Sequence, residues 1–84
     1  SLRSPVAMVN LMGDIWSSGR PDWKAALENP QAFLHLYGKS QPRPGRKMGH
    51  LNVMAATAQA ACEEAIRLRK AMIRAPGELF PIME

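Results

Sequence analysis

Three kinds of feature are scarce in this chain, and each scarcity excludes a class of protein. Cys62 is the single cysteine among 84 residues, so no disulfide can form within the chain, which fits a reducing compartment. No apolar run approaches the roughly 18 residues that a membrane span needs. A charged start followed by a long apolar stretch, the mark of a signal peptide, is also missing. We therefore expect a water-soluble, cytoplasmic protein with no membrane partner.

The length and charge set further bounds. A chain of 84 residues forms at most one small domain, with a thin core. The formal net charge of +4 is compatible with binding to a nucleic acid or to a phosphorylated small molecule, and equally with no anionic partner. The position of the charge is therefore more informative than its total. The chain begins at Ser1, not at a methionine, and enters an apolar run at Val6. We therefore interpret it as one domain of a longer protein.

Three apolar runs predict strands. Val6–Met12 is almost continuously apolar, which predicts a mostly buried strand, and Ile15 and Trp16 then begin a short helical turn. Residues 32–37 and 48–54 alternate between apolar and polar, which predicts two strands paired as a hairpin. In that hairpin, Gly49 would allow another backbone or a ligand to approach closely.

A short helix is predicted in the connection between the first two strands. Asp22 is a suitable N-cap, and Asn29 followed by Pro30 ends the helix. We expect Trp23, Ala26 and Leu27 to face inward because they lie at helical spacing.

The clearest helix covers residues 58–73. Thr57 is its predicted N-cap. We expect Glu63 and Arg67 to form an i,i+4 ion pair, and Cys62 to be a packed, inert thiol beside the apolar stripe. The stripe itself consists of residues at three- and four-residue steps: Ala58, Ala61, Ala65, Leu68 and Met72.

Together these elements predict an α+β fold. A small antiparallel sheet of about three strands carries one long C-terminal helix, with a short helix in a connection. We expect a single domain over residues 1–84, with a strand core at 5–55, a helix at 57–74 and a tail at 75–84.

The segment 39–47, called the basic segment below, is the leading candidate for a binding site. A hairpin would bring Lys39 and Arg46 together. A phosphate binds well to such a pair, because lysine supplies a compact charge and arginine a planar guanidinium that donates two hydrogen bonds. Prolines stiffen the chain between the cations, which lowers the entropy lost on binding, and a glycine permits a tight turn there. A solvated hairpin tip is an equally open alternative on composition alone. The four cations within these nine positions are Lys39, Arg43, Arg46 and Lys47.

Other chemistry has little support in the sequence. His35 and His50 could face each other on paired strands, but a metal site needs further ligands, so we predict none. We expect Trp16 and Trp23 to serve the core rather than to stack on bases. No nucleophile–base pair, glycine-rich phosphate loop or carboxylate pair is visible, so we predict no catalytic residue.

Three motifs in order resemble one enzyme family. They are Met8-Val9-Asn10-Leu11-Met12-Gly13-Asp14, His35-Leu36-Tyr37-Gly38-Lys39 and Arg43-Pro44-Gly45-Arg46-Lys47-Met48-Gly49-His50. Together with Trp16 and Trp23, they resemble the C-terminal domain of the N5-carboxyaminoimidazole ribonucleotide synthases, which belong to the ATP-grasp superfamily. The match runs from about Leu2 to Ala55.

The resemblance implies a reaction and a role for the basic segment. In that family, ATP and bicarbonate form carboxyphosphate, and the exocyclic amine of aminoimidazole ribonucleotide takes up the carboxyl group, with release of ADP and phosphate. The motif implies that Lys39 and Arg46 contact the ribonucleotide 5′-phosphate. The candidates for supporting residues of this phosphate site are Arg43, Lys47, Tyr37 and His50.

The resemblance also places much of the chemistry outside this chain. The family's ATP and Mg²⁺ ligands lie in preceding domains, so we expect this chain to bind neither and to be inactive alone. The family further suggests a homodimer for the full enzyme. Two alternatives stay open: a formate-dependent glycinamide ribonucleotide transformylase or biotin carboxylase-like relative, and a free-standing basic module that binds nucleic acid.

Overall fold

The fold is a three-stranded sheet with one long helix packed on it, as the sequence predicts. This computed structural model describes residues 4–38 and 41–74, so the predicted tail at 75–84 lies outside the described residues. The elements in chain order are β1 (Val6–Met12), a 3₁₀ turn (Gly13–Trp16), α1 (Lys24–Glu28), β2 (Ala32–Leu36), β3 (Lys47–Met54) and α2 (Ala58–Met72).

β3 is the central strand of the sheet. It pairs antiparallel with β1 on one side and with β2 on the other, in the order β1-β3-β2. His35 lies directly opposite His50, so the predicted hairpin of β2 and β3 is confirmed. The basic segment therefore connects two paired strands.

The core lies between the sheet and α2. Thr57 caps α2 as predicted, because its Oγ1 accepts a hydrogen bond from the Ala60 amide at 3.0 Å. Trp16 and Trp23 pack edge to face against the rim of the core, with ring centroids 5.7 Å apart, which supports their predicted structural role. The buried core residues are Leu11, Ile15, Ala26, Leu51, Val53, Ala65, Leu68 and Met72.

The second face of the sheet is open in the described part of the chain. Val6 is 57% exposed and Met8 is 59% exposed, and Phe33 on β2 is 51% exposed. The prediction that β1 is mostly buried is therefore wrong. Its alternate residues Ala7, Val9 and Leu11 contact the core, because α2 covers only one side of the sheet.

The short helix differs from the prediction in two details. It begins at Lys24, and the Asp22 Oδ1 accepts a hydrogen bond from the Lys24 amide at 3.0 Å without Asp22 being the N-cap residue. Leu27 is 70% exposed, so its predicted inward position is wrong. Ala26 occupies the single buried position in this five-residue helix, and Leu27 lies about 100° further around the axis.

The side chains on α2 correct two further predictions. Cys62 is exposed, because it follows Ala61 around the helix and points away from the buried stripe. Arg67 pairs with Glu64 instead of Glu63, at 2.8 and 2.5 Å. The Asn29 amide also donates to the Glu64 carboxylate at 3.1 Å and so holds it in place. The Arg67 hydrogen bonds keep the pKa of Glu64 below its ordinary value.

Within the two described ranges, no helix combines the length and the apolar character that crossing a membrane requires.

Candidate anion-binding site

The hairpin pairing extends one residue past β2 before the basic segment begins. The Tyr37 amide donates to the Met48 carbonyl at 3.0 Å, and Gly38 follows with a φ of 102°, a conformation that favours glycine. Lys39 lies outside the described residues. Its proximity to Arg46 therefore stays a prediction.

Residues 43–46 form a tight turn, called the 43–46 turn below. The Arg46 amide donates to the Arg43 carbonyl at 3.0 Å, and Gly45 has a φ of 81°. Pro44 and Gly45 occupy the two central positions, as in a type II turn, where proline presets the first φ and glycine accepts the positive second φ. The sequence Arg-Pro-Gly-Arg thus brings two arginines to the ends of one turn.

The 43–46 turn is docked on the residues that follow β1. The Gly13 amide donates to the Arg46 carbonyl at 2.7 Å, and the Gly45 amide donates to the Asp14 Oδ1 at 2.8 Å. A Cβ atom on Gly13 would lie only 2.0 Å from the Arg43 carbonyl oxygen, so the close approach requires glycine. We did not predict these contacts from the sequence; the one available signal was a Gly-Asp pair directly after a strand.

Among the described cations of the basic segment, Arg46 is the best placed. Its side chain is partly buried, whereas Arg43 and Lys47 are exposed. Its Nη1 donates to the Gln41 carbonyl at 3.4 Å, which leaves its other donors available. The ion pair between Arg67 and Glu64 is the only one among residues 4–38 and 41–74, so no described carboxylate neutralises Arg46. A partly buried, unneutralised guanidinium can accept an anion.

The pairing of β1 with β3 is interrupted by a bulge beside this site. Leu11 lies opposite Gly49, but Met12 lies opposite Lys47, so Met48 has no partner on β1. Such a bulge bends a strand and redirects its side chains. Gly49 itself is tightly enclosed, because a Cβ there would lie 2.3 Å from the His35 carbonyl oxygen. The predicted close approach of another backbone at Gly49 is confirmed.

Tyr37 and His50, the predicted supporting residues on the hairpin, lie together. The Tyr37 hydroxyl and the His50 Nδ1 are 3.0 Å apart and hydrogen-bonded. The His35 and His50 rings stack at 5.0 Å with planes only 5° apart. This cluster fixes Tyr37 at the point where the chain enters the basic segment. Among the described residues, no three His, Cys, Asp or Glu side chains are grouped to hold a metal ion.

A cleft of about 350 Å³ lies between the 3₁₀ turn and the proline-containing part of the basic segment. Trp16, Arg20, Pro42 and Pro44 contribute to its walls, and Gly13 and Asp14 lie at the same place. Arg20, which the sequence did not single out, also lines this cleft. The site therefore combines a rigid basic turn with an adjacent open space.

These features define a small α+β domain whose basic hairpin turn is docked on the end of a neighbouring strand. Residues 6–64 match the model of the phosphoribosylaminoimidazole carboxylase C-terminal domain. The chain therefore belongs to this family.

Known relatives and solved structures agree with the assignment. The phosphoribosylaminoimidazole carboxylase of Schizosaccharomyces pombe is 39% identical over 66 residues, which are 73% of this chain and 11% of that protein. The N5-carboxyaminoimidazole ribonucleotide synthetase of Thermotoga maritima has a TM-score of 0.68 at 36% identity, covering 84% of this chain and 21% of that chain. The chain thus spans only about a tenth of the length of the curated relative.

A third comparison includes bound molecules. The N5-carboxyaminoimidazole synthase of Aspergillus clavatus, solved in complex with ADP and 5-aminoimidazole ribonucleotide, has a TM-score of 0.61 at 36% identity. The match covers 86% of this chain and 20% of that chain. The enzyme of the same organism has also been solved complexed with ATP.

Proposed function

We propose that this chain is the C-terminal domain of an ATP- and bicarbonate-dependent ligase. The whole enzyme carboxylates 5-aminoimidazole ribonucleotide to N5-carboxyaminoimidazole ribonucleotide in purine biosynthesis. Membership of the phosphoribosylaminoimidazole carboxylase C-terminal domain family supports this function. The Aspergillus clavatus relative, solved with ADP and 5-aminoimidazole ribonucleotide, supports the choice of substrates.

The role proposed for this domain is to bind the 5′-phosphate of the ribonucleotide through Lys39 and Arg46. The observation that carries this proposal is the anchored Arg46, whose backbone is hydrogen-bonded to both Gly13 and Arg43. An arginine fork matches the geometry of a phosphate, and a held backbone lowers the conformational entropy lost when the ligand binds. Lys39 is included because it stands at the matching position of the family motif.

Binding the phosphate would contribute to catalysis from a distance. Contacts to a part of the substrate that does not react supply free energy for positioning the part that does. Here they would hold the exocyclic amine against carboxyphosphate and keep water away from that short-lived species. In this account Lys39 and Arg46 bind substrate and transfer no proton.

The same resemblance supports three proposals about the full-length enzyme and one about the 84-residue chain. ATP and Mg²⁺ would be held by the preceding ATP-grasp domains, and the enzyme would be a homodimer. Its location would be the cytoplasm. The 84-residue chain alone would have no ligase activity.

The function can be tested by measuring ADP release from the full-length protein with each substrate omitted in turn. We expect ADP formation to require 5-aminoimidazole ribonucleotide and to rise with bicarbonate, with the N5-carbamate as product. The 84-residue chain serves as the matched control and should release no ADP. Turnover of glycinamide ribonucleotide with formate in place of this activity would refute the proposed function.

A further inference from the structure

We propose that Gly13 and Asp14, called the clip below, are positioning residues for the substrate phosphate. They would hold the 43–46 turn so that Arg46 meets the phosphate. This inference rests on the proposed function, because it gives the clip a purpose only if Arg46 binds the ribonucleotide.

The clip contacts the 43–46 turn at each of its last two residues. The Gly13 amide reaches the Arg46 carbonyl at 2.7 Å, and the Asp14 Oδ1 accepts from the Gly45 amide at 2.8 Å. The second contact joins residues 31 positions apart in the chain. Both hydrogen bonds are made to backbone atoms of the turn. They therefore fix the position of the Arg46 backbone and leave its guanidinium donors free of the clip.

The shape of Gly13 supports the same role. Its missing side chain leaves room for the Arg43 backbone, whose oxygen, nitrogen and carbonyl carbon would lie 2.0, 2.4 and 2.6 Å from an added Cβ. Contacts that short with backbone atoms cannot be relieved by a side-chain rotation. Any side chain at position 13 would displace the turn that carries Arg46.

The charge of Asp14 makes a purely solubilising role a poor explanation. Asp14 is exposed, yet its carboxylate faces a basic turn that is proposed to bind an anion. A carboxylate in that place repels a phosphate, so its presence there points to a second task whose benefit offsets the repulsion. The hydrogen bond to Gly45 is that task, since a bond from a backbone amide to an ionised acceptor is among the stronger kinds.

Substitutions at Asp14 separate the hydrogen bond from the charge. Asp14→Ala removes the acceptor, and we expect it to raise the KM for 5-aminoimidazole ribonucleotide about tenfold, the lower end of the effect of losing a hydrogen bond between Arg46 and the phosphate. Asp14→Asn keeps an oxygen acceptor and removes the charge, so its KM should lie well below that of Asp14→Ala. Gly13→Ala should reproduce the Asp14→Ala pattern by displacing Arg43.

The experiment is steady-state kinetics of the full-length enzyme carrying Asp14→Ala, Asp14→Asn, Gly13→Ala, Arg46→Ala or Asp14→Ala with Arg46→Ala. We expect Asp14→Ala to leave the KM for ATP within about twofold, since the clip acts only on the ribonucleotide. In the Arg46→Ala background, Asp14→Ala should add less than about twofold, because its effect runs through Arg46.

The possible failures are distinguishable. A normal KM for the ribonucleotide in Arg46→Ala would refute the proposed phosphate role and the clip together. An impaired Arg46→Ala beside a normal Asp14→Ala would refute the clip alone. Equal losses in Asp14→Ala and Asp14→Asn, or losses shared with ATP, would show that Asp14 does not act by positioning the turn. Thermal melting of each variant identifies one that fails to fold. Should Asp14→Ala fail to fold, Gly13→Ala carries the test, and a ribonucleotide KM within about twofold of wild type in that variant would refute the clip.

Discussion

In the full-length enzyme, Arg46→Ala should raise the KM for 5-aminoimidazole ribonucleotide by roughly 10- to 100-fold. This range corresponds to about 1.5–3 kcal/mol, the usual contribution of a hydrogen bond to a charged group. The KM for ATP should stay within about twofold, because ATP is proposed to bind in preceding domains. Lys39→Ala should likewise raise the KM for 5-aminoimidazole ribonucleotide and leave the KM for ATP almost unchanged. Steady-state kinetics with each substrate varied in turn provide the measurement.

Arg67→Ala is the matched control for Arg46→Ala. It removes the same charge from an exposed position on α2, where the guanidinium contacts Glu64. Loss of such a surface pair costs little, so both KM values should stay close to wild type. An equal rise in the ribonucleotide KM in both variants would show that overall charge, and not a specific contact, explains the effect.

Leu68→Ala should unfold most of the 84-residue chain at ambient temperature. Leu68 lies on the face of α2 that packs on the sheet, and it is completely buried. Truncating a buried leucine to alanine costs about 2–5 kcal/mol. A core of this size rarely supplies more than about 3–5 kcal/mol in total. Urea unfolding followed by circular dichroism measures the loss.

Leu27→Ala makes the same chemical change at a position that is 70% exposed. Its unfolding midpoint should match that of the wild-type chain, because a surface truncation usually changes stability by less than about 0.5 kcal/mol. A large loss in Leu27→Ala, or a stable Leu68→Ala, would contradict the packing described for the core.

The elements that could be predicted from the sequence are those governed by local rules. Alternation predicted β2 and β3 and their pairing as a hairpin, and the observed register, with His35 opposite His50, confirms that pairing. Thr57 was identified as a cap because its hydroxyl and the Ala60 amide are only three positions apart. The phosphate role of Arg46 stays a prediction, drawn from local charge and from the family motif.

The features that could not be predicted depend on residues distant in the chain. Arg67 pairs with Glu64, against the i,i+4 expectation, and the Glu64 carboxylate also accepts a hydrogen bond from Asn29, 35 positions away. Asp14 bonds Gly45 across 31 positions, and no local pattern indicates that contact. The burial of β1 was overestimated because an apolar run does not show how many faces of a strand are covered.

Binding of two ligands to two proteins gives the most direct test of the phosphate role. Calorimetry of the full-length enzyme would compare 5-aminoimidazole ribonucleotide with the same nucleoside lacking its 5′-phosphate, for the wild type and for Arg46→Ala. We predict that Arg46→Ala raises the Kd of the ribonucleotide by roughly 10- to 100-fold and leaves the Kd of the nucleoside unchanged. An equal loss of affinity for both ligands would contradict the assignment of Arg46 to the phosphate.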